Sequence, residues 1–474
     1  VLKEQRVIDR LSTGVSGLDD VLCGGFLRGS AYIIQGPPGA GKTILANQFC
    51  FSHVENGGRA LYMSLLAESH ERMIAYMAPM SFYNEAAVPG ALQYVSGYGT
   101  LERDGLPGLL KLMQHEIKRH KATAVVLDGV FVAQSDTSES EFRKFVHELQ
   151  GVANFTGATL VMLTHQGRPH GSPEHTMVDG WIELCDELNG FRSYRTLQVR
   201  KHRGSAMLRG KHAFRITGSG LMVYPRIEST LVEAASSDAN TGRVTTGIEE
   251  LDHLTQGGLP QASSTLVFGP TGSGKTTLGL HFISAASPKE PALLLGFYET
   301  PALLERKASR VGLDLKGACE SGALEILWRP PSENLVDELA WLVIERVREK
   351  GIKRVFVDGL VALKDNLIFQ NRLPYCLNAL NSYLRELGAT SMYTSEIREM
   401  HSPDVLPTDD VSVIVDNVVI LTYLRREDAL RRKLSILKLR DSDFDPRAQE
   451  FNVSDRGIAF GPDPQLGDTA AGSE

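Results

Sequence analysis

Gly269-Pro-Thr-Gly-Ser-Gly-Lys-Thr-Thr277 follows an apolar run, Thr265-Leu-Val-Phe268, and leads into the apolar, helix-forming Leu278-Gly-Leu-His-Phe282. This is the pattern G-x-x-x-x-G-K-[ST] in a strand–loop–helix setting, the phosphate-binding P-loop. Gly269, Gly272 and Gly274 let the backbone curl so that successive N–H groups, including those of Ser273 and Thr277, point at a phosphate at the positive end of a helix. Lys275 is expected to reach the β/γ-phosphates and Thr276 to complete a Mg²⁺ shell. A second copy lies upstream, with Gly36, Gly39, Gly41, Lys42 and Thr43 in the same places.

The copies extend beyond the loops. Leu11–Phe49 aligns without a gap onto Val244–Phe282 at an offset of 233, the distance from Lys42 to Lys275. Thr13-Gly14 matches Thr246-Gly247, Leu18-Asp19 matches Leu251-Asp252, and Gly24-Gly25 matches Gly257-Gly258. A duplicated domain therefore accounts for a chain of 474 residues, too long for one ordinary core. The expected division is 1–227 and 244–461 as domains, 228–243 as a small polar linker and 462–474 as a disordered tail.

Short apolar strands alternate with amphipathic helices in each half, as in Ala60–Leu65, Leu106–His120, Ala122–Leu127, Ser140–Thr156 and Thr159–Leu163 of the first. Such a pattern implies α/β domains, each a mainly parallel sheet flanked by helices, and each half then ends in strand-rich sequence. Charge is balanced, with net −7 and pI about 6.1, which argues against a standing nucleic-acid groove. No apolar run reaches membrane-spanning length. The five cysteines are scattered, without a C-x-x-C pair, as expected of reduced thiols in a cytoplasmic protein.

Three apolar residues followed by aspartate occur once per half at the right distance from the P-loop. Val125-Val-Leu-Asp128 and Val355-Phe-Val-Asp358 lie 86 and 83 residues after Lys42 and Lys275. An aspartate at a strand end beside the P-loop would position Mg²⁺. Glu299, and Glu68 in the first half, follow the second strand and are the expected water-activating carboxylates. Aligning the second strands, Ala60–Leu65 and Ala292–Phe297, without a gap sets Ala67 opposite Glu299; matching the helix caps Ser69 and Thr300 brings Glu68 there instead. Lys201/Arg203 and Lys438/Arg440 have i, i+2 spacing, so on a strand both cations of a pair face one way. Aimed at the γ-phosphate of a neighbouring subunit, they would stabilise transition-state charge.

Together these residues resemble the KaiC family of RecA-like ATPases, the group that includes the cyanobacterial circadian-clock kinase. The resemblance rests on Ser12-Thr-Gly-Val-Ser-Gly-Leu-Asp19, both P-loops, both aspartate strands, and Asp416-Asn-Val-Val-Ile-Leu421 leading to Leu437-Lys-Leu-Arg440. It implies tandem RecA-like domains in a double-ring homohexamer that binds ATP and Mg²⁺ between subunits, with Lys201/Arg203 and Lys438/Arg440 acting in trans. Two departures matter. The clock type carries two adjacent glutamates where this chain has Tyr298-Glu299. It also autophosphorylates a serine–threonine pair, where this chain reads Ser412-Val413. The resemblance thus allows a one-site serine autokinase on Ser412 but not a two-site cycle.

The leading expectation is a hexameric signalling ATPase. A DNA-dependent RecA- or helicase-type ATPase is the first alternative, but the loops after the fourth strands do not interleave aromatics with Lys/Arg as a stacking groove would. A slow nucleotide-gated scaffold for a signalling partner is the second. His165, at the end of a strand in the first half, is expected to sense the γ-phosphate rather than to join His170 and His175 around a metal.

Overall fold

The computed structural model describes residues 9–66, 70–135, 137–165, 173–231, 242–396, 411–426, 429–440 and 442–461. The chain divides between Thr230 and Leu231 into two compact units. The first holds a nine-stranded sheet built from β1 (Ala31–Gly36), β2 (Ala60–Ser64), β3 (Leu92–Ser96), β4 (Ala124–Asp128), β5 (Thr159–His165), β6 (Gly180–Asn189), β7 (Arg192–His202), β8 (His212–Thr217) and β9 (Gly220–Tyr224). Its order is β3-β2-β4-β5-β1-β6-β7-β8-β9; pairing is parallel from β3 to β6 and antiparallel from β6 to β9.

The second unit repeats the plan with β10 (Ser264–Gly269), β11 (Ala292–Gly296), β12 (Leu324–Trp328), β13 (Arg354–Asp358), β14 (Thr390–Glu396), β15 (Asn417–Arg426), β16 (Ala429–Leu439), β17 (Gln449–Ser454) and β18 (Gly457–Phe460). They lie in the order β12-β11-β13-β14-β10-β15-β16-β17-β18. Both units are therefore RecA-like α/β domains with a C-terminal antiparallel extension. The inner parallel strands, such as β1 and β2 of the first unit and β10 and β11 of the second, are buried along their whole length and read as largely apolar runs. One face of the first sheet packs Tyr32, Ile34, Tyr62 and Val126 against Phe49 of the P-loop helix; the other packs Ile33, Leu61 and Val125 against Phe145 and Leu149.

The repeated Thr-Gly, Asp and Gly-Gly signature clamps the N-terminal turn. Asp19 Oδ1 accepts from the N–H and hydroxyl of Thr13 at 2.8 and 2.7 Å, and Asp252 Oδ1 does the same for Thr246 at 2.7 and 2.7 Å. Gly25 and Gly258 adopt φ of 93° and 110°, and a Cβ there would stand 2.3 and 2.4 Å from the carbonyl oxygens of Leu11 and Val244. Only glycine meets both demands.

Three sequence expectations shift. The helix expected from Leu106 belongs to a longer element, Tyr98–His120, broken at Gly105 (φ 62°), so that Pro107 sits in the first turn after the break. β6 is a strand that the charges of Glu183, Asp186 and Glu187 concealed. Lastly, β4 and β13 do not lie directly beside the P-loop strands, because β5 and β14 intervene. Among the described residues, no helix is long and apolar enough to cross a membrane. Residues 462–474 and most of 228–243 lie outside the described residues.

Candidate nucleotide site

Each P-loop strand ends in a tight turn with glycines at positive φ: Gly39 (78°) and Gly41 (95°) in the first unit, Gly272 (77°) and Gly274 (104°) in the second. Gly41 and Gly274 are the residues just before the helices Lys42–Glu55 and Lys275–Ser284, so the first N–H groups of each helix face the loop. Lys42 Nζ donates to the carbonyls of Gly36 (2.7 Å) and Pro37 (2.9 Å); Lys275 Nζ donates to those of Gly269 (2.7 Å) and Pro270 (2.8 Å). Burial pulls both lysines below the usual ammonium range, partly offset by Asp128 in one case and by Glu396 and Asp358 in the other. Ser273, wholly buried in the second loop, has a hydroxyl without a hydrogen-bond partner among the described residues.

Thr43 and Thr276 turn their hydroxyls toward the strand-end aspartates, 3.4 Å from Asp128 Oδ2 and 3.3 Å from Asp358 Oδ1. Burial raises both carboxyls above the usual range, against the lowering effect of their hydrogen bonds. The supporting hydroxyl differs between units. Tyr62, on β2, donates to Asp128 at 2.6 Å; Thr394, on β14, donates to Asp358 at 2.6 Å. Sequence reasoning missed both, because neither donor is near its aspartate in sequence.

Glu299 lies beyond β11 and pairs with Lys307 at 2.9 Å, on the helix Pro301–Ser309. Glu68 lies outside the described residues. At the ends of the intervening strands, His165 stacks edge-on against Phe131, and Glu396 accepts a hydrogen bond from the Thr271 hydroxyl of the P-loop. Burial, then the Lys42 charge, lowers the His165 pKa. His175 is drawn away from any ligand cluster: its ring stacks on Trp181 (3.9 Å, 6°) and bonds Gln35 at 2.8 Å, while His170 is outside the described residues.

The two cationic pairs share a backbone device. The β6–β7 register slips at Trp181/Ile182, leaving Arg200 as the extra residue, and β15–β16 slips at Val418/Val419, leaving Leu437. Each bulge sits just before Lys201 or Lys438, where it re-aims the lysine. The strands end at His202 and Leu439, so Arg203 and Arg440 stand one residue past the strand rather than on it. Lys201 Nζ donates to the carbonyls of His175 (3.2 Å) and Thr176 (2.7 Å), and Lys438 Nζ to those of Ser412 (3.5 Å) and Val415 (2.6 Å). His175 thus occupies in the first unit the place that Ser412 holds in the second. Ser412 itself is half-buried on a turn anchored by buried Val411 and Val415, with Val413 projecting at 76% exposure.

Two P-loops, each with its lysine, its threonine and a strand-end aspartate on tandem RecA-like sheets, define a double-domain P-loop nucleotide-binding protein. The family model of the KaiC ATPase matches residues 11–228 and again 244–465. The chain belongs to the KaiC ATPase family. It is 26% identical over 472 residues to the circadian clock oscillator protein KaiC of Parathermosynechococcus lividus, covering 96% of this chain and 86% of that protein. It is likewise 26% identical over 475 residues to the circadian clock protein KaiC3 of a Synechocystis species (96% and 92% covered). To KaiC of Synechococcus elongatus it is 25% identical over 468 residues (96% and 89%).

Proposed function

We propose that both units bind and hydrolyse Mg·ATP, and that each site is completed by the neighbouring subunit of a homohexameric ring. The observation that carries this reading is the recurrence, in both units, of the lysine–threonine–aspartate arrangement together with a bulge that presents a Lys/Arg pair. In this reading Gly36, Gly39, Gly41 and Lys42, and Gly269, Gly272, Ser273, Gly274, Lys275 and Thr277, cradle the phosphates through backbone N–H groups and the lysine ammonium.

Thr43 with Asp128, and Thr276 with Asp358, fit a Mg²⁺ ion. They offer hard oxygen donors only, and a nearby cation would offset the desolvation cost of keeping each carboxylate ionised. Held by these residues, the ion would supply positive charge to offset that developing on the transferring phosphoryl group. Glu299 and Glu68 take the proton of the attacking water or orient it. Lys201/Arg203 and Lys438/Arg440 reach a neighbour's γ-phosphate, where preorganised cations stabilise the transition state.

Ser412 is the proposed phosphoacceptor of a one-site autokinase. It lies on a half-buried turn, and in this reading the transferred phosphoryl group comes from a nucleotide bound between subunits. The product is a signal read by a protein partner, from a cytoplasmic protein. ADP release after adding Mg·ATP, followed with and without single-stranded DNA, tests the reading. Turnover independent of DNA supports it, whereas stimulation by DNA that vanishes at moderate salt would favour the RecA/helicase-type alternative.

A further inference from the structure

Asp416 stands between two functional sites. Its N–H donates to the carbonyl of Ser264 at 3.0 Å, and its Oδ2 accepts from the N–H and hydroxyl of Ser264, both at 2.9 Å. Ser264 is the first residue of β10, the strand that feeds the P-loop. The other carboxylate oxygen, Oδ1, faces Arg440 Nη1 at 3.2 Å, and Arg440's own N–H donates to the Asp416 carbonyl at 3.2 Å. Arg385, from the helix Leu373–Glu386, closes the cluster with Nη2 at 2.8 Å from Oδ2.

The carboxylate is nearly buried, at 7% exposure, whereas the Arg440 side chain is 52% exposed. A buried carboxylate with two guanidiniums and two further hydrogen bonds, from the N–H and hydroxyl of Ser264, is held in one orientation. It holds one guanidinium nitrogen, Nη1, of an arginine whose side chain is otherwise half exposed.

The first unit repeats the arrangement, its aspartate and arginine at an offset of 237 and its strand residue at 233. Asp179 N–H donates to Ala31 O at 2.9 Å, Asp179 Oδ2 accepts from Ala31 N–H at 3.0 Å, Asp179 Oδ1 faces Arg203 at 3.7 Å, and Arg203 N–H donates to Asp179 O at 2.8 Å. Ala31 opens β1 as Ser264 opens β10. Two features make the first copy looser: a residue without a hydroxyl replaces Ser264, and the carboxylate is 22% exposed.

We propose that Asp416, and less tightly Asp179, is a positioning residue that ties the trans-acting arginine to the strand feeding its own subunit's P-loop. This rests on the reading that Arg440 serves a neighbour's nucleotide. The carboxylate touches no nucleotide in that reading; it acts through Arg440, fixing where the guanidinium projects. A charge-assisted bond of this kind pre-pays the ordering of a long side chain.

The test compares ATP turnover of the full chain in D416N, R440A and the double variant, with the first unit's contribution, measured in K275A, subtracted. D416N is expected to lower kcat about tenfold with KM and bound nucleotide unchanged, as befits loss of an interaction used only in the transition state. The double variant should fall no further than R440A alone. Losses that multiply, a raised KM at unchanged kcat, or a D416N chain as active as wild type would each overturn the positioning role. If R440A itself turns over normally, the trans reading fails and this inference with it. S264A keeps the charge and removes one hydroxyl donor, so it guards against a D416N chain that does not fold. It should give a smaller fall in kcat in wild type and none in the R440A background; a fall in both backgrounds contradicts the proposal.

Discussion

Tyr62 donates its hydroxyl to Asp128 Oδ2 at 2.6 Å from the neighbouring strand, with the tyrosine wholly buried. In the second unit the place of Tyr62 is taken by Leu294, and Thr394 donates to Asp358 from the opposite side. Duplicated sites thus keep the same acid in place with different donors. Y62F should weaken Mg·nucleotide binding in the first unit about tenfold and leave the second untouched, since a hydrogen bond to a charged group contributes roughly 1.5–3 kcal/mol. T394V should do the reverse. Site-resolved nucleotide titration with Mg²⁺ checks both.

Burial raises the Asp358 carboxyl above its ordinary range, so the folded chain holds that proton more tightly than the unfolded one. This group therefore costs stability increasingly as pH rises from the ordinary carboxylate pKa through the raised one. D358N, which keeps an acceptor for Thr276 and Thr394, is expected to raise the melting temperature at pH 7 without nucleotide. The gain should shrink as pH falls toward 4 and turnover in the second unit should be lost. Thermal melts across that range, with ADP release at pH 7, measure it; a gain that grows on acidification would contradict the assignment.

Glu299 pairs with Lys307 on the helix that follows β11. E299Q should leave nucleotide bound in the second unit but slow hydrolysis there by about 10²–10⁴-fold, the usual contribution of a positioned base. Single-turnover chase of bound ATP separates this from a binding defect.

Transfer of labelled γ-phosphate from Mg·ATP to the intact chain is expected, and it should vanish in S412A. Label that persists in that variant would place the acceptor elsewhere. Because Val413 lacks a hydroxyl, intact mass should show at most one added phosphate per chain from this turn.

Much of this was legible in residue order. The P-loops, the gapless duplication and the two aspartate-terminated strands carry strong local patterns, because a phosphate cradle demands glycines and a lysine at set spacings. Contacts made only by the fold were not. Tyr62 and Thr394 reach their aspartates across strands, and nothing in the flanking sequence marks them. The bulges at Arg200 and Leu437 hide because an i, i+2 pair looks the same on a regular strand. Asp179 and Asp416 did leave a trace: each precedes its arginine by 24 residues, a second repeat at an offset of 237 instead of 233. Read alone, each is an aspartate before a strand; the shared offset is what sets them apart.

The central claim, that a site is completed by the next subunit, is tested most directly by subunit mixing. K275A lacks its own second-unit P-loop lysine but keeps Arg440; R440A keeps the loop and lacks the arginine. Each chain alone should show only first-unit turnover. Co-assembled in equal amounts, they should regain about a quarter of wild-type second-unit turnover, the share of interfaces that pair an intact loop with an intact arginine in a randomly mixed ring. Mixed rings, verified by native mass, that regain nothing would contradict the account.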